Sequence, residues 1–152
     1  MKRRDVLTAA VAGTGLALLA LARPASATTG EMAAAIDRFT GGVKPTEGKV
    51  GFDIAQLIDN GNAVPVTISV ASAMSAADHV SAIAIFNERN PQTDVAVFTL
   101  GPRAGKAQVS TRIRLATSQK LTAVARMSDG SYRSKSVSVI VALAACIEGE
   151  AP

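Results

Sequence analysis

Apolar side chains change their spacing twice along the chain. Residues 6–22 form a nearly unbroken apolar run. Met32, Ile36 and Phe39 then recur at intervals of four and three, the period of one helix face. Thr28-Thr29-Gly30-Glu31 precedes them with capping-box spacing, so a short helix is expected from about Glu31 to Phe39, stopped by Gly41-Gly42. From Val50 the period becomes two: Val50, Phe52 and Ile54 alternate with smaller or polar residues, and Val64, Val66, Ile68 and Val70 repeat the pattern. Asp59-Asn60-Gly61-Asn62 between them reads as a turn of residues that tolerate positive φ.

Further strands are expected at Val80 to Phe86, Val95 to Leu100, Val109 to Leu115, Leu121 to Met127 and Val137 to Leu143. In the third of these Val109, Ile113 and Leu115 share one face, with Ser110, Arg112 and Arg114 on the other, so one side is wet. Polar or glycine-rich turns separate them at Asn87 to Gln92, Gly101 to Gly105, Thr117 to Lys120 and Ser128 to Ser131. About seven strands without helical crossovers predict an all-β antiparallel sandwich with one short N-terminal helix. Pro65, which has no N–H to give a ladder, suits an edge or a first position.

Lys2-Arg3-Arg4, the apolar run and Ala25-Ser26-Ala27 have the order of a cleavable export signal, residues 1–27. Arg3-Arg4 followed by Asp5-Val6-Leu7 fits a twin-arginine signal, the route for proteins that cross already folded. The run is too short for a stable span, so the mature chain is expected to lie free of the membrane. Of 16 Lys and Arg and 12 Asp and Glu, the leader holds four basic residues and one acidic, which leaves 12 and 11 and a net charge of about +1. The high whole-chain pI therefore gives no reason to expect a nucleic-acid partner. The remaining 125 residues suit one domain, and with no tryptophan its core must be aliphatic.

Chemistry-bearing residues are scarce. His79 is the only histidine, follows Asp78, and reads as a solvated turn residue; a thiol enzyme would have to recruit it as base. Zinc or copper sites need several Cys, His or carboxylate ligands in one shell, and no glycine loop carries the lysine of a phosphate cradle, so no bound cofactor or metal is expected. Leu143-Ala144-Ala145-Cys146 has the look of a lipid-attachment box, but such a box must close a signal peptide, and this one follows the last strand. Cys146 is the only cysteine. In an exported domain an unpaired cysteine is an inert buried thiol, an intermolecular link, or a reactive group kept free. Period two puts Ala145 on the face of Val137, Val139, Val141 and Leu143, and Cys146 on the opposite one.

Four segments resemble one family: Asp59 to Val66, Phe86 to Pro91, Val109 to Leu115 and Ala123 to Gly130 are similar to SoxY, the sulfur-carrier subunit of the thiosulfate-oxidising Sox system. The resemblance covers most of residues 29–146. It implies an immunoglobulin-like sandwich with no enzyme activity of its own, exported to the periplasm through a twin-arginine signal and paired with a SoxZ-like subunit. It also implies that Cys146 is the covalent attachment point for sulfur intermediates. Partners would be a haem enzyme that loads thiosulfate, a hydrolase that releases sulfate and a sulfur dehydrogenase. The chain is then organised as leader 1–27, carrier sandwich 28–145 and arm 146–152.

The arm departs from the family. Where a Gly-Gly-Cys-Gly-Gly stretch is usual, this chain has Ala144-Ala145-Cys146-Ile147-Glu148-Gly149-Glu150. Alanine and β-branched isoleucine restrict backbone rotation, while Glu148 and Glu150 are expected to raise the thiol pKa and repel anions. The alternative is a divergent sandwich module that still pairs with a SoxZ-like or other subunit and whose cysteine is inert.

Overall fold

The computed structural model describes residues 28–145. The leader with its arginine pair, and Cys146 with the rest of the arm, lie outside the described residues. Within them the chain forms α1 (Thr29–Thr40) and nine strands: β1 (Thr46–Glu47), β2 (Val50–Asp53), β3 (Leu57–Asn60), β4 (Val64–Val70), β5 (Val80–Asn87), β6 (Asp94–Thr99), β7 (Gln108–Ile113), β8 (Gln119–Met127) and β9 (Tyr132–Leu143). One sheet runs β1-β9-β8-β5-β6 with β3 also on β9, and a second runs β2-β4-β7. They face each other as an all-β sandwich.

The seven expected strands are present, and the structure corrects the count and one direction. β1 and β3 are additional, and both pair with β9 in parallel, β1 at Arg133 and Ser134 and β3 from Ile140 to Leu143. β3 absorbs Asp59 and Asn60, which the sequence assigned to a turn. Nor does that turn use positive φ: among the described residues Gly41, Gly42, Gly48, Gly105 and Gly130 do, with Lys49 and Met74, but not Asn60, Gly61 or Asn62. β9 begins five residues before Val137, at Tyr132.

The helix forms where its cap predicts. Thr28 Oγ1 accepts from Glu31 N–H at 3.3 Å, and Thr28 N–H donates to Glu31 Oε2 at 2.7 Å. Gly41, at φ 64°, ends the helix in the left-handed region that glycine enters without strain. Met32 and Ala35 are buried on Ala84, Phe86 and Val124, with Ile36 and Phe39 packed alongside. Phe39 meets Phe86 and Tyr132 edge-on, each with centroids 5.9 Å apart. β5 is therefore covered on both sides, by the helix over Ala84 and Phe86 and by the second sheet over Ile83 and Ile85. That is why its residues read as a continuous apolar run rather than an alternation.

Between the sheets lie Val64, Val66, Ile68 and Val70 of β4, Leu121, Ala123 and Ala125 of β8, and Val139 of β9. Pro65 is the second residue of the middle strand β4, but pairing with β2 stops at Asp53 opposite Thr67, so at Pro65 only the β7 side is occupied. The edge expectation is met locally. Leu143 departs from the expected inward face: it is 60% exposed, as are Leu57 and Ile140, which pair across β3 and β9, at 66% and 63%. Ala145 returns to the buried side as period two requires.

Candidate functional site

Three backbone hydrogen bonds close a ring where β9 ends. Gly61 N–H donates to Leu143 O at 2.8 Å, Leu115 N–H donates to Gly61 O at 2.8 Å, and Ala145 N–H donates to Leu115 O at 3.0 Å. Ala145 is 7% exposed. The chain is thus held fast at the residue that immediately precedes Cys146. Gly61 makes the ring possible by having no side chain: a Cβ there would lie 2.3 Å from Leu115 O and 3.0 Å from Ala145 N.

The segment supplying Leu115 O is itself clamped. Asn90 Nδ2 donates to Arg114 O at 2.7 Å and Asn90 Oδ1 accepts from Ala116 N–H at 3.0 Å, so one amide side chain brackets Leu115 from both sides. Gln119 Nε2 donates to the same Oδ1 at 2.8 Å and to Thr117 O at 3.1 Å, while its Oε1 accepts from Arg89 N–H. Asn87, almost fully buried, accepts from Asn90 N–H through Oδ1 and donates to Gln92 O through Nδ2. Buried amides satisfied this fully rigidify a loop rather than destabilise it.

Glu88 ties the same loop to its neighbours. Its carboxylate accepts from Lys120 N–H at 2.9 Å and from the Thr29 hydroxyl at 2.9 Å, and the first of these does most to hold its pKa below the usual glutamate value. A depressed folded-state pKa contributes stability above the unfolded value of about 4.3 and loses it as pH falls through the folded value. Glu88 is partly exposed, so the effect is small. Glu88→Gln is expected to lower Tm by about 2 °C at pH 7 and to match the parent below about pH 3, as checked by thermal melts across that range.

Three of the four segments that carry the family resemblance meet at this end of the sandwich: Asp59 to Val66 through Gly61, Phe86 to Pro91 through Asn90, and Val109 to Leu115 through Leu115. The fourth, Ala123 to Gly130, takes β8 to the other end. Asn90, Gln119 and Gly61 were not singled out as site residues from sequence. For Gly61 and Asn90 the signal available was their place in two of the segments that resemble the family; Gln119 lies in the turn Thr117 to Lys120, outside all four, and carried no such signal.

His79 lies at that other end. Its backbone N–H donates to Ser128 Oγ at 3.1 Å and its ring Nδ1 is 3.1 Å from Ser75 O, in the loop before β5. Val80 pairs with Met127, and Gln119, at the opposite end of β8, pairs with Val139. At about 3.3 Å per residue those positions are roughly 25 Å apart, before β9 continues to Leu143. The turn reading of His79 fits, and no base is brought from there to the exit of β9. Among the described residues no three His, Cys, Asp or Glu side chains gather as a metal site would need, and no helix is long and apolar enough to cross a membrane.

Known proteins share this architecture. The sulfur carrier protein SoxY from Chlorobium limicola f thiosulfatophilum superposes with a TM-score of 0.64 at 26% identity, over 75% of this chain and 98% of that one. A superoxide reductase (neelaredoxin) from Ignicoccus hospitalis matches with a TM-score of 0.57 at 13% identity, over 62% of this chain and 80% of that one. A putative superoxide reductase from Thermotoga maritima matches at 0.56 and 15%, over 65% and 93%. At such identities the last two show a common fold and nothing more. No curated protein sequence matches the chain. The family model described as sulfur oxidation protein SoxY matches residues 36–146, so it takes in the last five residues of the helix, every strand and, as its last position, Cys146. By that match, which spans most of its length, the chain belongs to the SoxY family.

Proposed function

We propose that the mature chain is a periplasmic sulfur carrier, with Cys146 as the covalent attachment point and no catalysis of its own. The observation that carries this reading is the anchoring of Ala145. The family match ends on the residue after it, and the three-bond ring holds the chain at Ala145 itself. A carrier thiol must be presented to several enzymes in turn, and a rigid point of departure gives each the same approach.

The chemistry needs only a thiolate on this chain. Coupling the Cys146 thiolate to the outer sulfur of thiosulfate forms an S–S bond and releases two electrons, which the haem loading enzyme accepts. Hydrolysis of the bond between that sulfur and the sulfonate releases sulfate and leaves a persulfide for the sulfur dehydrogenase. Tethering keeps a diffusible intermediate at high effective concentration near each partner. The leader, residues 1–27, directs export by the twin-arginine route, and a SoxZ-like subunit pairs with the sandwich. The exposed apolar side chains of Leu57, Ile140 and Leu143 support such pairing.

Intact-mass analysis tests the reading. Mature protein incubated with thiosulfate and its loading enzymes is expected to gain a thiosulfonate adduct that Cys146→Ser abolishes. A wild-type chain that pairs with its partner subunit and never takes an adduct overturns it in favour of the inert-cysteine module.

A further inference from the structure

Asn60 is the only asparagine of the chain that glycine follows. In such a pair the next amide nitrogen, unhindered by a Cβ, can attack the asparagine carboxamide carbon and close a succinimide ring. Here the two reacting groups are held very differently. The electrophile is open: Asn60 is exposed, and its Oδ1 accepts from Asn62 N–H at 2.9 Å and from Asn62 Nδ2 at 3.0 Å. Donors so placed stabilise the charge that gathers on this oxygen during attack, as in an oxyanion hole. The nucleophile is shut away: Gly61 is buried, its N–H is given to Leu143 O at 2.8 Å, and its own carbonyl receives Leu115 N–H at 2.8 Å. An amide nitrogen attacks only after base removes its proton, the event that hydrogen exchange also needs. A buried hydrogen bond blocks both.

We propose that Asn60-Gly61 is a deamidation site gated by the anchor at the end of β9. While Leu143 O holds Gly61 N–H, the pair is inert. When β9 lifts away, base takes the proton, the nitrogen attacks Cγ, the new C–N bond replaces Cγ–Nδ2, and ammonia leaves; water then opens the succinimide to aspartate or isoaspartate. No electrons are exchanged. Isoaspartate routes the main chain through Cβ and lengthens it by one atom, so Gly61 no longer meets Leu143 and Leu115 in register. The site thereby turns a transient release of Ala145 into a permanent one. The chemistry needs only water and base, and is independent of what Cys146 carries.

The mature chain is incubated folded and, separately, in urea at mildly alkaline pH, and the peptide containing position 60 is followed by mass spectrometry with chromatographic separation of the isoaspartate form. The folded chain is expected to react at least about tenfold more slowly than the unfolded one. Asn90→Ala removes the amide that brackets Leu115 and leaves Asn60 and Gly61 themselves unchanged. It is expected to speed deamidation and Gly61 hydrogen exchange together, by about fivefold, the effect of losing one net hydrogen bond. Ile83→Val, a comparable loss of stability within β5, is expected to change neither. The purified isoaspartate form is expected to have lost protection at the Ala145 amide. Equal rates in the folded and unfolded chains, no acceleration in Asn90→Ala, or an equal acceleration in Ile83→Val overturns the gate. Gly61 exchange that rises without deamidation overturns it too, and an isoaspartate form still protected at Ala145 overturns the permanent release.

Discussion

Phe86→Ala is expected to lower the unfolding free energy by about 3–5 kcal/mol and Tm by roughly 10–20 °C. Phe86 is 2% exposed, and its ring sits edge-on to Phe39 at 5.9 Å, between the helix and the sheet. Truncation removes the surface on which α1 rests, together with one partner of the aromatic pair. The cavity has little means of closing, because the neighbours Ala84 and Val124 are small and fixed in the two central strands. Urea titration with a fixed m-value gives the loss directly. Phe86→Leu is expected to recover more than half of it. A Tm within about 3 °C of the parent for Phe86→Ala would show that the helix is not docked as described.

The second large effect is local. Gly61→Ala places a methyl 2.3 Å from Leu115 O, closer than real contacts allow, and both residues belong to the ring that anchors Ala145. Backbone must move, at a cost of about 2–3 kcal/mol. Hydrogen exchange reads the consequence by position: the amides of Gly61, Leu115 and Ala145 are expected to lose protection, while those in the middle of β5 and β8 keep theirs. Protection at Ala145 that survives the substitution would mean the ring does not hold the tail. If the carrier reading stands, the variant should also load more slowly with its thiol chemically unaltered, since only the presentation of Cys146 has changed.

Most of the sandwich was legible because its strands alternate. β4 follows the buried-exposed rhythm of its valines and isoleucine residue by residue, and β7 shows its wet face in Ser110 and Arg112. β5 was legible for a different reason: eight consecutive residues with little polarity leave no exposed face to assign. β1 and β3 were not legible. β1 is two exposed residues long, and β3 ends in Asp59 and Asn60, whose turn chemistry outweighs a single buried side chain at Ile58. Both exist because β9 offers them a ladder, a tertiary cause that leaves no local pattern.

The same holds for the exit of β9. That a cysteine follows the last strand is plain from the sequence, and the family match ends on it. That an amide at Asn90 brackets Leu115, or that Gly61 is small so that two other segments can approach, depends on residues 25 to 84 positions apart in the chain. Gly61 was read as a turn residue by its conformational freedom, yet its backbone is ordinary and it is the missing side chain that matters. Leu143 misled for the opposite reason: it keeps the period of the strand but leaves the region that the second sheet covers.

The helix cap bears on maturation. Thr28 N–H donates to Glu31 Oε2 at 2.7 Å, and Thr28 is the residue that would become first if the leader is cut after Ala27. Cleavage there turns that amide into a protonated amine. A positive charge at a helix start opposes the macrodipole, but here a carboxylate already stands against the nitrogen that acquires it. The processed end would thus find its counter-ion in place, and the peptidase would make a new terminus without unravelling the turn that docks the helix.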